Sequence, residues 1–237
     1  MAESRDLLYL FGIAGHPAPS PVLGRLEAAG FRIVVPMMKG FDGSFDFVAP
    51  DDYLGWLTVL WDAIDASDVR LPCPVVGASI GGMLAVDLAA FRPEAVTALA
   101  LLAPFGIFDE AHPGLDLYSV PTPDRMAHLF AKGVPEPFVD RFAELGPDDG
   151  PVARYLSDVA AANLLWPLGD RGQRGRLHRI TCPRLSLWGG QDELLPPAVS
   201  AVWAEGGVPA EIIDGAGHLL EWDAPDEVTA RLLRFLG

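Results

Sequence analysis

Three residues far apart in the chain have the types and settings that acyl-transfer chemistry needs. They are Ser79 in Gly77-Ala78-Ser79-Ile80-Gly81, Asp192 in Trp188-Gly189-Gly190-Gln191-Asp192, and His218 in Asp214-Gly215-Ala216-Gly217-His218. A serine hydroxyl at neutral pH is a poor nucleophile. It needs an imidazole to take its proton and a carboxylate to orient that imidazole. The apolar run Pro74-Val75-Val76 leads into the serine motif and the helix-like stretch 83–90 leads out, so the motif reads as a sharp strand-to-helix elbow with the serine at positive φ. Glycines at 77 and 81 remove the Cβ atoms that would clash where strand and helix nearly touch. Such a turn is expected to lift the Ser79 hydroxyl into the open. It would also aim the backbone N–H of Ile80, at the helix N-terminus, at a developing oxyanion. Alone, G-x-S-x-G is a weak signal whose bland reading is an ordinary turn, so the surrounding elements must carry the assignment.

Those elements alternate. Short apolar runs near 7–11, 31–35, 74–76, 96–102, 184–188 and 210–213 read as strands, and amphipathic runs at 20–29, 52–66, 80–91, 198–205 and 225–235 read as helices. Ser20 is placed to cap the first helix, with Pro21 in its first turn. The alternation predicts an α/β fold: a mostly parallel, twisted sheet with helices on both faces. Asp192 and His218 each follow a late strand, so both fall at the sheet edge where Ser79 sits, in the chain order Ser, Asp, His. Asp214 and Glu193 are rival carboxylates, the first nearer His218 in sequence and the second adjacent to Asp192. His112, His128 and His178 lie in or beside the helical insertion described next and read as exposed or structural.

The pattern breaks over residues 105–178, where proline-rich joints separate helical patches near 124–132, 137–145 and 152–166 with no strand. This predicts a helical cap inserted into a core made of residues 1–104 and 179–237, lying over the strand ends. Phe105, Phe108, Phe130, Phe138, Phe142 and Trp166 are available to line a cavity there. Residue by residue, the competing reading is that these aromatics pack the insertion's own small core.

Composition bounds the partners. With 237 residues, half of them hydrophobic, the chain can bury a sizeable core. A net charge of −15, spread along the chain, would be repelled by a phosphate backbone or an anionic membrane, so neither is an expected partner. The polar N-terminal stretch and the short, glycine-broken apolar run after it predict neither a signal peptide nor a membrane span, and hence a cytoplasmic protein. Cys73 and Cys182 each precede a proline before a strand-like run and suit buried thiols. No disulfide is expected of them, neither has a second ligand at metal spacing, and acyl transfer of the kind read above requires no metal or organic cofactor. Arginine outnumbers lysine and alanine, glycine and proline abound, a composition that suggests a GC-rich bacterial source.

Through almost its full length the chain resembles the α/β-hydrolase family. The matching pieces are the elbow, Ile180-Thr181-Cys182-Pro183 ahead of the Asp192 strand, the Gly189–Asp192 turn with Pro196 beyond, and Gly217-His218 followed by Glu221 and Pro225. The resemblance implies Ser79 as nucleophile, His218 as general base and Asp192 as orienting acid, which agrees with the residue-level reading. It also implies a second oxyanion donor in the loop Phe11-Gly12-Ile13-Ala14-Gly15-His16, with Ile13 N–H the expected donor and Ala14 the alternative. Phe11 stands where that family commonly has histidine, and His16 is either a substrate contact or a solvent-exposed loop residue. The stretch from Pro36 to Ser44 departs from the family's usual Asp-x-x-Gly-x-Gly-x-Ser loop, and little sequence precedes the first strand, which points to a shortened sheet. Leu219 follows the histidine where relatives that hydrolyse carbon–carbon bonds usually carry Trp. A serine nucleophile disfavours the dehalogenase and epoxide-hydrolase chemistries that use a carboxylate in this fold.

The expected activity is hydrolysis of a small or medium hydrophobic ester, thioester or related carbonyl compound. Ile80 and Ile13 would hold the oxyanion, and Phe105, Phe108, Phe130, Trp166 and Leu219 the substrate. Two other readings share the scaffold: a cofactor-free lyase, cyclase or perhydrolase of secondary metabolism, and a ligand receptor with negligible turnover. A monomer or homodimer is expected.

Overall fold

The apolar runs form strands β1 (Arg5–Leu10), β2 (Phe31–Val34), β3 (Cys73–Ala78), β4 (Val96–Leu102), β5 (Arg184–Gly189) and β6 (Ala210–Ile213) in the computed structural model. The structure describes residues 5–13, 20–135, 138, 141–166 and 168–237. The strands make one sheet in the order β2-β1-β3-β4-β5-β6, and every ladder is parallel. A parallel sheet has both faces covered, which explains the largely apolar character of β4, Val-Thr-Ala-Leu-Ala-Leu-Leu, where only Thr97 and Ala98 reach solvent.

Helices α1 (Pro21–Ala28), α2 (Tyr53–Asp65), α3 (Ile80–Phe91), α4 (Gly146–Leu165), α5 (Gln173–Arg176), α6 (Ser200–Glu205), α7 (Leu220–Asp223) and α8 (Pro225–Leu236) complete the chain. Their starts follow local chemistry. Ser20 Oγ accepts from Val22 N–H at 3.2 Å with Pro21 in the first turn, and Asp52 Oδ1 accepts from Gly55 N–H at 2.7 Å. Helix α1 packs on α8, α2 packs on α3, and α3 lies along β3 and β4. Trp56, Trp188, Trp203 and Phe41 are the largest side chains wholly inside. Cys73 and Cys182 are free thiols, and burial pushes the Cys73 thiol up to about 11.

The insertion differs from expectation in kind. The patches expected as helices at 124–132 and 137–145 are 3-10 turns over Thr122–Leu129 and Arg141–Leu145, with another over Leu117–Ser119. Their apolar repeats are short, which favours the tighter turn over an α-helix. Helix α4 begins at Gly146, well before the expected position 152, because Pro147 fits the first turn and Asp148 and Asp149 complement the helix N-terminus. No strand occurs among the described residues of 105–178.

Two buried carboxylates tie the elements together. Asp87 of α3 accepts from Tyr53 Oη at 2.6 Å, Gln173 Nε2 at 2.8 Å and Arg176 Nη2 at 3.1 Å, so α2 and α5 are both fastened to α3. Asp6 of β1 accepts from Arg32 Nε at 2.9 Å and from the Arg70 backbone at 2.7 Å. Hydrogen bonds from Arg32 and then Arg70 hold its carboxyl well below the usual carboxylate range.

Candidate active site

The elbow is as tight as its glycines require. Ser79 has φ +54° and ψ −117°, between the end of β3 and the first residue of α3. A Cβ on Gly81 would lie 2.2 Å from the Leu10 carbonyl oxygen, and one on Gly77 2.5 Å from the Gly81 carbonyl oxygen. Only hydrogen fits where β1, β3 and α3 meet. The N–H of Ile80 is among the first of α3, which have no carbonyl to bond within the helix.

Ser79, His218 and Asp192 are joined by hydrogen bonds. Ser79 Oγ is 2.8 Å from His218 Nε2, and His218 Nδ1 is 2.8 Å from Asp192 Oδ2. The other carboxylate oxygen, Asp192 Oδ1, accepts from the backbone N–H groups of Leu194 and Leu195, each at 2.8 Å. A carboxylate can only accept, so the proton sits on Nδ1 and Nε2 is left to accept from the serine hydroxyl. This is the protonation pattern in which the imidazole can take the hydroxyl proton as the oxygen attacks a carbonyl. The rival carboxylates are elsewhere: Asp214 is exposed, and Glu193 is exposed and bonded to His128 Nδ1 at 2.7 Å. His112 pairs with Asp109 at 2.8 Å, and His178 is exposed. His16 and Ala14 lie outside the described residues.

One expectation is corrected. The elbow does not lift Ser79 into the open, since the residue is 1% exposed and His218 is also 1% exposed. The covering is visible. A Cβ on Gly12 would come within 2.9 Å of Ser79 Cβ, Phe105 N–H donates to the Ser79 carbonyl at 3.1 Å, and the Phe105 ring meets the His218 imidazole edge-on at 5.7 Å. Above them the 129–131 stretch of the insertion is stitched to the histidine loop. Leu219 N–H donates to the Leu129 carbonyl at 2.9 Å, and Asp223 Oδ2 accepts from Gly217 N–H at 2.7 Å and Ala131 N–H at 2.9 Å. Asp223 was not legible as a site residue, because its role depends on a contact across 92 positions of sequence.

The aromatic residues expected to hold substrate divide. Phe105 lies against His218, as just described. Phe130 and Leu219 are buried, and Phe130 packs on Phe138, which packs on Trp222. Phe108 and Trp166 are surface residues, 40% and 58% exposed. A cavity of about 260 Å³ opens beside Ile13, and none of those five residues lines it; its walls include Leu117, Tyr118, Met126, Leu129 and Phe138. Leu117, Tyr118, Met126 and Leu129 of the 3-10 turns enclose that space together with Phe138, which belongs to the set of aromatics available for a cavity wall. An aromatic count gives no signal for the aliphatic and sulfur-bearing members of that wall.

A further buried acid stands close by. Glu221 of α7 is 5% exposed, Tyr9 Oη donates to its Oε1 at 3.4 Å, and its Oε2 has no hydrogen-bond partner. Burial raises the Glu221 carboxyl above the ordinary value. Burial, with the neighbouring Glu221, also raises the Tyr9 phenol.

A family model described as the alpha/beta hydrolase family matches residues 12–231. The chain belongs to the alpha/beta hydrolase family. Among curated relatives it is 31% identical over 170 residues to a pimeloyl-(acyl-carrier protein) methyl ester esterase of Neisseria meningitidis serogroup B (strain MC58), covering 65% of this chain and 62% of that enzyme. The chain thus spans about three fifths of the length of that relative. It is 25% identical over 229 residues to 2-hydroxy-6-oxononadienedioate/2-hydroxy-6-oxononatrienedioate hydrolase 1 of Dechloromonas aromatica, covering 89% of this chain and 78% of that one. The fold is shared with 2-hydroxy-6-oxo-6-phenylhexa-2,4-dienoate hydrolase from Rhodococcus sp. strain RHA1, with a TM-score of 0.75 at 21% identity over 98% of this chain and 90% of that chain. Among the described residues of this alpha/beta hydrolase, no helix is long and apolar enough to cross a membrane.

Proposed function

We propose that the protein is a serine hydrolase cleaving small to medium, largely apolar esters, thioesters or related carbonyl compounds, with residues 105–178 acting as its cap. The observation that carries this reading is the continuous chain from Ser79 Oγ through His218 to an Asp192 carboxylate whose second oxygen is pinned by two backbone amides. Ser79 Oγ attacks the carbonyl carbon as His218 Nε2 takes its proton, and the tetrahedral oxyanion is held by the amides of Ile80 and Ile13. Collapse expels the alcohol or thiol, which leaves with the proton from His218. Water then attacks the acyl-enzyme, gives a proton to His218, and the second collapse returns that proton to Ser79 as the acid departs. Removing a single oxyanion donor of this kind costs about 100- to 1,000-fold in kcat.

Family membership and esterase- and hydrolase-named relatives support the hydrolytic outcome over lyase, cyclase or perhydrolase chemistry on the same residues. The test is a panel of short esters and thioesters turned over in heavy-oxygen water. The proposal requires one solvent oxygen in the released acid and loss of turnover in His218→Ala. A product free of solvent oxygen, or a tight ligand recovered unchanged, would remove it.

A further inference from the structure

The space beside Ile13 is not closed at its far end. A second cavity, about 350 Å³, adjoins it on the outer side of α4, and the two share the walls Tyr118, Thr122, Arg125, Arg154 and Asp158. The inner end is apolar and begins where the chain passes Ser79 through Gly12 and Ile13; the outer end runs past Tyr155, Val159 and Ala162. Between them stands a charged partition of two arginines and one aspartate, in a protein whose net charge is −15.

Arg125 is held by its own neighbourhood with one nitrogen less committed. Its Nε donates to the Val120 carbonyl at 3.0 Å and its Nη2 to the Tyr118 carbonyl at 3.4 Å, while its guanidinium lies 5.5 Å over the Tyr118 ring. Nη1 faces Asp158 Oδ2 at 3.8 Å, which is beyond hydrogen-bond length. Arg154 lies 5.3 Å over the Phe142 ring. A carboxylate entering from the inner cavity would meet in Arg125 a planar donor fixed by two backbone carbonyls, with Nη1 not hydrogen-bonded to Asp158.

Resting on the hydrolase reading above, we propose that these spaces form one channel. In it the carbonyl substrate lies with a linear apolar arm along Ile13, Leu129 and Met126, and an acidic group at its far end against Arg125 and Arg154. The substrate class is thus a monoester or thioester of a medium-chain dicarboxylic acid, or a carbonyl compound of equivalent charge and length. Asp158 tunes the partition: it competes for the arginines and opposes the incoming anion.

The experiment compares kcat/KM for the monomethyl ester of octanedioic acid with that for methyl octanoate, which has the same chain and no distal charge. Wild type is expected to favour the acidic ester by about tenfold, the scale of one charge-assisted hydrogen bond. The preference should shrink as ionic strength rises, because the partition is partly exposed. Arg125→Gln and Arg154→Gln are expected to bring the ratio toward one, while Arg125→Lys keeps part of it. Asp158→Asn is expected to raise the ratio, a change of opposite sign that a merely structural role would not produce. A ratio at or below one in wild type, or a preference that survives both glutamine variants and rising salt, overturns the channel. If wild type hydrolyses neither these esters nor short acetate and butyrate esters, the hydrolase reading itself has failed. If short esters turn over but the acidic preference is absent, only the channel has.

Discussion

Asp192→Asn isolates the orienting role of the carboxylate, because the surroundings dictate how the amide must sit. Asp192 Oδ1 accepts from two backbone N–H groups at 2.8 Å, so in the variant the carbamoyl oxygen must occupy that place and the NH₂ group must turn toward His218. A donor 2.8 Å from Nδ1 then forces Nδ1 to accept and puts the imidazole proton on Nε2, against Ser79 Oγ. In that tautomer the histidine cannot take the hydroxyl proton. The expected loss in kcat is about 10³- to 10⁴-fold, or roughly 4–5.5 kcal/mol of barrier, the scale on which this substitution acts in triads of this geometry. Fold stability should hold, since both amide bonds to Oδ1 survive. A melting temperature within about 4 °C of wild type corresponds to roughly 1 kcal/mol for a chain of this size. The assay is initial rates on p-nitrophenyl butyrate with thermal melts of the same preparations. A variant retaining more than about a tenth of wild-type kcat, where each tenfold is roughly 1.4 kcal/mol, would refute the tautomer argument.

Three further outcomes follow from packing and charge. Gly81→Ala forces a methyl group to 2.2 Å from the Leu10 carbonyl oxygen, so it should destabilise by about 1–3 kcal/mol and lower kcat at permissive temperature; urea melts paired with ester kinetics check it. Glu221→Gln should raise the melting temperature increasingly as pH climbs above the ordinary carboxyl value near 4.5, because a buried acid with a raised pKa loses stability once pH exceeds its unfolded value. Melts across pH 4–9 would contradict this if the two proteins differed by a constant amount or if the glutamine variant fell behind. Asp87→Ala leaves Arg176 and Gln173 without their buried acceptor and should cost about 3–5 kcal/mol, read as a loss of roughly 6–20 °C in melting temperature.

Legibility in the sequence followed the strength of the local signal. Strands β4 and β6 and helix α3 fall on their expected bounds, since each is a strongly patterned run with a clear breaker on both sides. The run expected as one helix at 198–205 begins instead as a 3-10 turn, Pro197–Val199, before α6. Ser79, His218 and Asp192 could be named because glycine-bearing turns after strands mark them, and parallel strands bring such turns to one edge. What could not be read depends on long-range packing. The Asp223 clasp on Ala131, the Tyr9–Glu221 pair across 212 positions, and the cover over Ser79 have no periodic or compositional trace. Apart from Phe138, the cavity walls were missed for a related reason: 3-10 turns lack the 3.6-residue repeat, so which faces of residues 117–129 turn inward is not set by local pattern.

The central claim is that Ser79 is an activated nucleophile reachable by a carbonyl-sized electrophile despite being 1% exposed in this structure. Incubation with a fluorophosphonate probe followed by peptide mass spectrometry tests it directly. The account predicts one equivalent of label on the peptide carrying Ser79, none in Ser79→Ala, and labelling slowed by orders of magnitude in His218→Ala. An unlabelled Ser79 in folded wild-type protein, or label on another residue with Ser79 spared, would contradict it.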